Sequence, residues 1–357
     1  MTKTIMLLLT YNCNLRCSYC YEPKTDHKVM SAADAMRYIS ECVAESGSEY
    51  DDFEVQFMGG EPLMEFDTIR EVSEWLWSTP MSEKLNNVFV VTNGTLLNDE
   101  MMAWFSRNRH RITLGVSFDG TPRMQNHNRS ESFASVDLNY FATNWSMQAV
   151  KMTVSPYSLR SFSEGVRFLH DKGFGNIMVD LACGAKIGWN SNHLSILKQQ
   201  LQELMDFYLA NPELTPCSTF RLDIFDIGRD SGKVKNCGCG ESLTCIDTDG
   251  SRYACHLFSP ISCDENTVIA GQKIDFTDHD RFQNETCRKC SLGNLCPHCY
   301  GMNFMNSNDV AQQDPFICAS FKIIYLQNCA FRYRKAVAEN DNQTREQIDK
   351  LLSGVKI

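Results

Sequence analysis

The chain has 357 residues, 43% hydrophobic and 22% charged, with a formal net charge of −10 and a pI near 5.3. That length allows one large domain or two smaller ones around a substantial core. The acidic balance argues against a broad nucleic-acid footprint, which needs a basic face, and the composition is ordinary for a globular protein apart from seventeen cysteines.

The first apolar run is Ile5–Leu9. Five residues are too few for a signal core or a membrane span. Asn12 before Cys13 is unlike the small residue of a lipoprotein cleavage site. The chain therefore reads as cytoplasmic, without membrane or nucleic-acid partners. Further short apolar runs at Phe53–Phe57, Val88–Val91, Ile112–Val116, Val150–Val154 and Ile177–Leu181 read as strands. Helical periodicity fills Ser31–Glu45, Phe66–Trp77, Asp99–Arg107, Ser161–Lys172 and Asn192–Leu209, with Ser31 placed as an N-cap. This alternation predicts an α/β fold with a parallel sheet, either open or closing into a partial barrel. In both, ligands gather at the carboxyl ends of the strands.

Beyond Pro212 and Pro216 the texture changes to Cys, Gly, Asp and Asn with few periodic runs, as in a loop-rich region held by metal. The stretch LTCIDTDGSRYACHLF predicts a hairpin turning at Asp249-Gly250. A last helix is expected from about Phe321 to Leu352. These readings divide the chain into 1–210, a linker at 211–234, a Cys-rich region at 235–320 and a C-terminal helix at 321–357.

Disulfides do not persist in a reducing cytosol, so clustered thiols there point to metal or redox chemistry. One group is Cys13, Cys17 and Cys20; a second runs through Cys237, Cys239, Cys245, Cys255 and Cys263; a third through Cys287, Cys290, Cys296, Cys299, Cys318 and Cys329. Cys42, Cys183 and Cys217 stand apart and read as ordinary cysteines, as do Cys263 and Cys329. The opening triplet has the spacing Cys-x3-Cys-x2-Cys. Three thiolates on a cubane leave one iron open, whereas four satisfy zinc or every iron; half of a zinc site or redox thiols are the alternative.

Chemically suggestive residues follow the first four strands in turn: the cysteine loop, Gly59-Gly60-Glu61-Pro62, Thr92-Asn93-Gly94-Thr95, and Ser117-Phe118-Asp119-Gly120. Together with CxxxCxxC these elements resemble the radical S-adenosylmethionine (SAM) superfamily. The resemblance implies a partial (β/α)6 barrel over 1–210 and a [4Fe–4S] cluster on Cys13, Cys17 and Cys20, with Tyr19 beside the last ligand. It places Gly59, Gly60, Glu61 and Pro62 at the methionine amino group of SAM, Glu61 as a charged acceptor and the glycines to let backbone approach the ligand. Thr92, Asn93, Gly94, Ser117 and Asp119 would line the ribose and carboxylate region, with Arg129 and Lys151 as carboxylate partners. No general base is assigned.

Downstream, Cys237, Gly250-x4-Cys255, Cys287-x2-Cys290-x5-Cys296-x2-Cys299 and Cys318 resemble the SPASM extension of radical enzymes that modify ribosomally made peptides and proteins; alone, the run from Cys287 resembles a zinc knuckle. The gap before Cys299 is two residues where the SPASM pattern has three. That resemblance implies two auxiliary [4Fe–4S] clusters: an outer one on Cys287, Cys290, Cys296 and Cys318, and an inner one on Cys237, Cys255 and Cys299, with Cys239 or Cys245 as fourth ligand.

Sulfatase-maturing members carry Asp directly after the Gly-x4-Cys cysteine, where this chain has His256. The YACHLF and CGCGE stretches look more like maturases of thioether-bridged peptides. The expected function is therefore hydrogen abstraction from a ribosomally synthesised peptide or protein followed by a Cys thioether cross-link, with an external flavodoxin or ferredoxin as electron donor. Carbon–carbon or carbon–oxygen cross-linking, epimerisation and sulfatase-type oxidation are alternatives, and a zinc-stabilised binding module is one of another class. Cys13 comes too early for the N-terminal peptide-recognition domain of many such maturases, so leader recognition is expected elsewhere.

Overall fold

In the computed structural model, which describes residues 1–22, 27–184, 186–227, 235 and 237–354, each of the six apolar runs forms a strand. They are β1 (Thr2–Thr10), β2 (Asp52–Gly59), β3 (Leu85–Thr92), β4 (Ile112–Val116), β5 (Val150–Val154) and β6 (Ile177–Leu181). The hairpin supplies β7 (Leu243–Ile246) and β8 (Arg252–Tyr253). The helices are α1 (Ala32–Ser46), α2 (Phe66–Ser78), α3 (Asp99–Asn108), α4 (Pro122–Asn128), α5 (Leu138–Asn144), α6 (Phe162–Asp171), α7 (Asn192–Ala210), α8 (Glu265–Gly271), α9 (Glu285–Arg288), α10 (Tyr300–Ser307), α11 (Pro315–Ala338) and α12 (Asn342–Gly354). The result is a mixed α/β fold built on parallel strands, as the alternation predicts.

The chain divides into two compact units. The first comprises Met1–Phe118, Gln125–Gln148 and Cys237–Asp278. Its sheet runs in the order β4-β3-β2-β1-β7-β8. β1 is central, and Ile5 to Leu9 are all buried, which is why this strand reads as a continuous apolar run. It pairs in parallel with β2 (Met6 opposite Gln56) and, on its other edge, with β7 (Met6 opposite Cys245). Among the described strands only β8 runs antiparallel to its neighbour, turning back at Gly250, where φ is +87°. A Cβ at Gly250 would stand 2.6 Å from the Tyr38 ring. Ser31 caps α1 by accepting from Asp34 N at 3.1 Å, and Asn98 caps α3 from Met101 N at 3.0 Å.

The second unit comprises Asp119–Met124, Ala149–Asn236 and His279–Ile357. In it β5 and β6 pair in parallel in register from Val150–Ile177 to Val154–Leu181. Its apolar core includes Ile224, Leu292, Cys296, Phe321, Tyr325, Cys329 and Ile348. The expected C-terminal helix is realised as two. Asn340 takes a left-handed φ of +56°, a conformation its side chain tolerates. Asp341 then accepts from Thr344 N at 3.0 Å and starts α12.

Candidate active site

In the first unit the carboxyl ends of β1, β2 and β3 meet at the cysteine loop. Gly60 N donates to Thr10 O at 2.9 Å and Glu61 N to Asn12 O at 2.8 Å. A Cβ on Gly59 would lie 2.3 Å from Thr10 O, and one on Gly60 2.3 Å from Asn12 O. The glycine freedom expected to serve a ligand is therefore demanded by the cluster loop's own backbone. Pro62 begins a short 3-10 turn, Pro62–Glu65, that faces back to these ends.

Glu61 is buried, at 1% exposure. One carboxylate oxygen accepts from Leu63 N at 3.0 Å and Thr92 Oγ1 at 2.6 Å; the other accepts from Asn93 N at 2.8 Å. Burial pushes its carboxyl above the ordinary range, while the bonds from Asn93, Thr92 and Leu63 and the charge of Arg129 oppose that rise. The role visible here is a tie between two strand ends and the turn that follows β2.

Asn93 Nδ2 donates to Asn14 Oδ1 at 2.9 Å, and Asn14 Nδ2 donates to Thr95 Oγ1 at 2.8 Å, so the third strand end holds the cysteine loop by side chains. Gly94 has φ +77°, with Val116, Val136 and Phe141 packed where a Cβ would be. Ser117 N donates to Thr92 O at 2.9 Å. On the far side of the loop, Ser18 N donates to Asn128 O at 2.8 Å and Arg16 N to Ser130 Oγ at 2.7 Å. Ser130 and Glu131 both hold left-handed φ, at +55° and +56°, a strained corner of the kind that collects at functional sites. Arg129, buried beside it, places its guanidinium 5.4 Å from the Tyr19 ring centroid.

The structure thus brings Tyr19, Gly59 to Pro62, Thr92 to Gly94, Ser117 and Arg129 to the loop of Cys13, Cys17 and Cys20. Asp119 and Lys151 belong to the second unit. There Asp119 is buried and accepts from Thr153 N at 3.0 Å, while Lys151, half-exposed on β5, pairs with Asp180 at 3.0 Å.

Two contacts escape the sequence reading. Tyr11, which leads into the cysteine loop, donates its hydroxyl to Asp247 Oδ2 at 2.6 Å, with both groups buried. Burial, then the Asp247 bond, drives the Tyr11 phenol far above its ordinary value. Tyr21 Oη lies 2.9 Å from His256 Nε2. Both pairs join residues more than 200 positions apart, and the only signal for them is each residue's adjacency to a motif.

Among the described residues no cysteine is in a disulfide, and Cys13, Cys17 and Cys20 are half-buried. In the first unit, Gly240 N donates to Ala254 O at 3.1 Å and Leu243 N to Gly238 O at 2.8 Å, a turn that sets Cys239 beside Cys255. Hydrogen bonding with Cys237 and Cys255, then burial, raises the Cys239 thiol far above its ordinary value. Cys245 is instead built into an apolar cluster with Met6, Leu8, Tyr11 and Ile261. In the second unit, burial pushes the Cys296 thiol up to about 12, with Cys318, Cys287 and Cys290 adding to the rise. Cys299 contributes in the same way to Cys183, also raised to about 12 chiefly by burial. Among the described residues no three Cys, His, Asp or Glu side chains are drawn together as a ready site for one metal ion; a cubane spreads its ligands over four irons.

Residues 7–138 match the Radical SAM superfamily model. That stretch is a radical SAM domain. Across 90% of its length it is 20% identical to the radical SAM cyclopropyl synthase TigE of Paramaledivibacter caminithermalis, 73% of which is covered. It is 28% identical to the serine-type anaerobic sulfatase-maturating enzyme of Klebsiella aerogenes over 80% of this chain and 76% of that one. Its fold is similar to that of native anSMEcpe with bound AdoMet and Cp18Cys peptide, with a TM-score of 0.71, 19% identity, and 95% and 99% of the two chains covered. A radical SAM domain implies a [4Fe–4S] cluster that works with SAM, and the three thiols of the strand-end loop suit such a cluster. No helix among the described residues is long and apolar enough to cross a membrane.

Proposed function

We propose that this radical SAM enzyme modifies a ribosomally synthesised peptide or protein, installing a Cys thioether cross-link. The observation that carries the reading is the convergence of Cys13, Cys17 and Cys20 with Glu61, Asn93 and Arg129 at the carboxyl ends of three parallel strands. The peptide bound by anSMEcpe and the maturating activity named for the Klebsiella relative support a peptide or protein substrate.

In this reading Cys13, Cys17 and Cys20 hold the [4Fe–4S] cluster. When bound, cluster and SAM supply a 5′-deoxyadenosyl radical that removes a substrate hydrogen. Arg129, buried and fixed against Tyr19, presents a cation to the SAM carboxylate. Gly59 to Pro62 shape the amino-group side, and Thr92 to Gly94 with Ser117 the ribose side. Asp119 and Lys151 remain candidates from their sequence positions alone. Glu61 keeps the strand ends in place and receives the ammonium on the same carboxylate.

Cys287, Cys290, Cys296 and Cys318 suit one auxiliary [4Fe–4S] cluster of the SPASM kind, and Cys237, Cys239 and Cys255 contribute to another. Cys239, in contact with both of its partners, fits this role better than Cys245, which is enclosed by apolar side chains. Such clusters would carry the surplus electron toward an external flavodoxin or ferredoxin. Sulfatase-type oxidation of Cys or Ser is a second reading, favoured by the Klebsiella relative.

The test is anaerobic turnover of the small peptide encoded beside the gene, with SAM and reductant. A product lighter by two hydrogens and lacking one titratable thiol supports the thioether. The same mass loss with every thiol retained overturns it in favour of a carbon–carbon or carbon–oxygen bond or serine oxidation. An unchanged mass with solvent deuterium incorporated means epimerisation.

A further inference from the structure

Tyr11 and Tyr21 stand just outside the two ends of the loop that carries Cys13, Cys17 and Cys20, and each reaches the hairpin that leads to Cys255. The backbone ladder between β1 and β7 ends at Leu7 opposite Ile246. Past that point side chains make the connection. Tyr11 is 5% exposed and donates its hydroxyl to Asp247 Oδ2 at 2.6 Å; Asp247 is 1% exposed. The other oxygen of that carboxylate accepts from Thr248 N at 2.7 Å, while Asp247 N donates to Ser251 O and Gly250 N to Asp247 O, both at 2.9 Å. One carboxylate thus holds the hairpin turn and the entry to the cysteine loop together. A charged acceptor shielded from water makes such a bond strong.

At the other end, Tyr21 Oη lies 2.9 Å from His256 Nε2, with ring centroids 5.9 Å apart. Tyr21 directly follows Cys20, and His256 directly follows Cys255, whose thiol is in hydrogen-bond contact with Cys239. Tied at residues 11 and 21 on one side and at 247 and 256 on the other, the two segments do not swing apart about a single pivot. A hydrogen taken from substrate at the first site and an electron accepted at the second need a fixed separation.

We infer that Tyr11 and Tyr21 are positioning residues: they lock the loop of Cys13, Cys17 and Cys20 to the hairpin of Cys255, so that SAM binding at the loop is coupled to the inner auxiliary site. That the inner site holds a cluster rests on the auxiliary-cluster reading above; the lock itself stands on the hydrogen bonds.

The experiment uses the anaerobically reconstituted full chain. Tyr11→Phe with Tyr21→Phe removes both hydroxyls and keeps both rings, and iron is expected at about twelve per chain in wild type and Y11F/Y21F. In amide exchange read by mass spectrometry, SAM should slow residues 11–22 and 243–256 in wild type, but only 11–22 in Y11F/Y21F. Cys255→Ala should weaken SAM binding about fivefold or more in the wild-type background and leave it unchanged in Y11F/Y21F; independent structural losses would instead add in both backgrounds. Hairpin protection that is the same with and without the hydroxyls overturns the lock, as does an equal effect of C255A in both backgrounds. So does wild-type protein in which SAM leaves 243–256 unprotected. Wild-type protein holding only about four irons overturns the auxiliary-cluster reading alone, and the exchange result still decides the lock. Should Y11F/Y21F fail to fold, Y21F, changed at a residue 37% exposed, takes its place in each comparison.

Discussion

The loop of Cys13, Cys17 and Cys20 and the group of Cys287, Cys290, Cys296 and Cys318 carry their thiols on different supports. The first hangs from strand ends: Gly60 and Glu61 bond Thr10 and Asn12, Asn93 bonds Asn14, and Asn128 and Ser130 bond Ser18 and Arg16. The second sits on short turns, with Cys290 N on Cys287 O, Gly293 N on Cys290 O and Cys296 N on Leu292 O. Its apolar support is Leu292, Phe321 and Tyr325. A strand-end loop takes its shape from the sheet, whereas a string of turns owes more of its order to what it encloses. The comparison predicts that the strand-end thiols hold their places without metal and that the turn-borne thiols gain order from a cluster.

The largest effect tests the prepared site. Cys17→Ala is expected to abolish reductive SAM cleavage and to lose about four irons, while the helical and strand content seen by circular dichroism stays unchanged. A folded variant that still cleaves SAM would place the cluster elsewhere. Next, anaerobic iron chelation should loosen the turns from Asn284 to Cys318 by about 2.7 kcal/mol, the mass-action stabilisation of a ligand at ~100-fold its dissociation constant. Amide exchange in β1 to β3 should hardly change. Equal loss of protection in both regions would break the comparison.

Glu61→Gln probes the ties of the strand-end loop. An amide meets the Asn93 N–H with a donor where the carboxylate had an acceptor, at a cost of ~1–3 kcal/mol for the unsatisfied group. The sign of the pH effect follows from burial, which holds the Glu61 carboxyl above its ordinary value. Its contribution is fully present below the ordinary glutamate range and is lost as pH rises through the higher folded value. Wild-type stability attributable to Glu61 should therefore fall across that window on going from acid to neutral, and E61Q should remove that slope. A wild-type-like slope in E61Q, measured by urea unfolding at several pH values, would assign the dependence to another group.

These tests also show what the sequence made legible. The strands were readable from their apolar residues, continuous in the fully buried Ile5–Leu9 and alternating with exposed positions in Val150–Val154 and Ile177–Leu181; these two and Ile112–Val116 fall at the predicted residues. Ser31 was readable because a capping serine precedes its helix. Gly59 and Gly60 announced a close approach, but only coordinates name Asn12 and Thr10 as what approaches. The pairing of β7 with β1 left no local mark, since Cys245 and Met6 are brought opposite by the fold. Tyr11 with Asp247 and Tyr21 with His256 are hidden for the same reason: a hydrogen bond spanning more than 200 residues has no period.

The smallest effect concerns Lys151 and sharpens the contrast between the units. Sequence position offered Lys151 and Arg129 alike as partners for the SAM carboxylate. Lys151 is about half-exposed and already paired with Asp180 at 3.0 Å, and such a pair contributes ~0–1 kcal/mol to stability. Arg129 is buried beside Tyr19 in the strand-end loop itself, where a charge is screened less and held in one geometry. Lys151→Met should thus shift the denaturation midpoint by no more than ~1 kcal/mol equivalent and weaken SAM binding less than Arg129→Met does. Equilibrium binding of SAM to both reconstituted variants reads this directly. If Lys151→Met loses affinity to the same degree as Arg129→Met, burial beside Tyr19 is not what distinguishes the carboxylate partner.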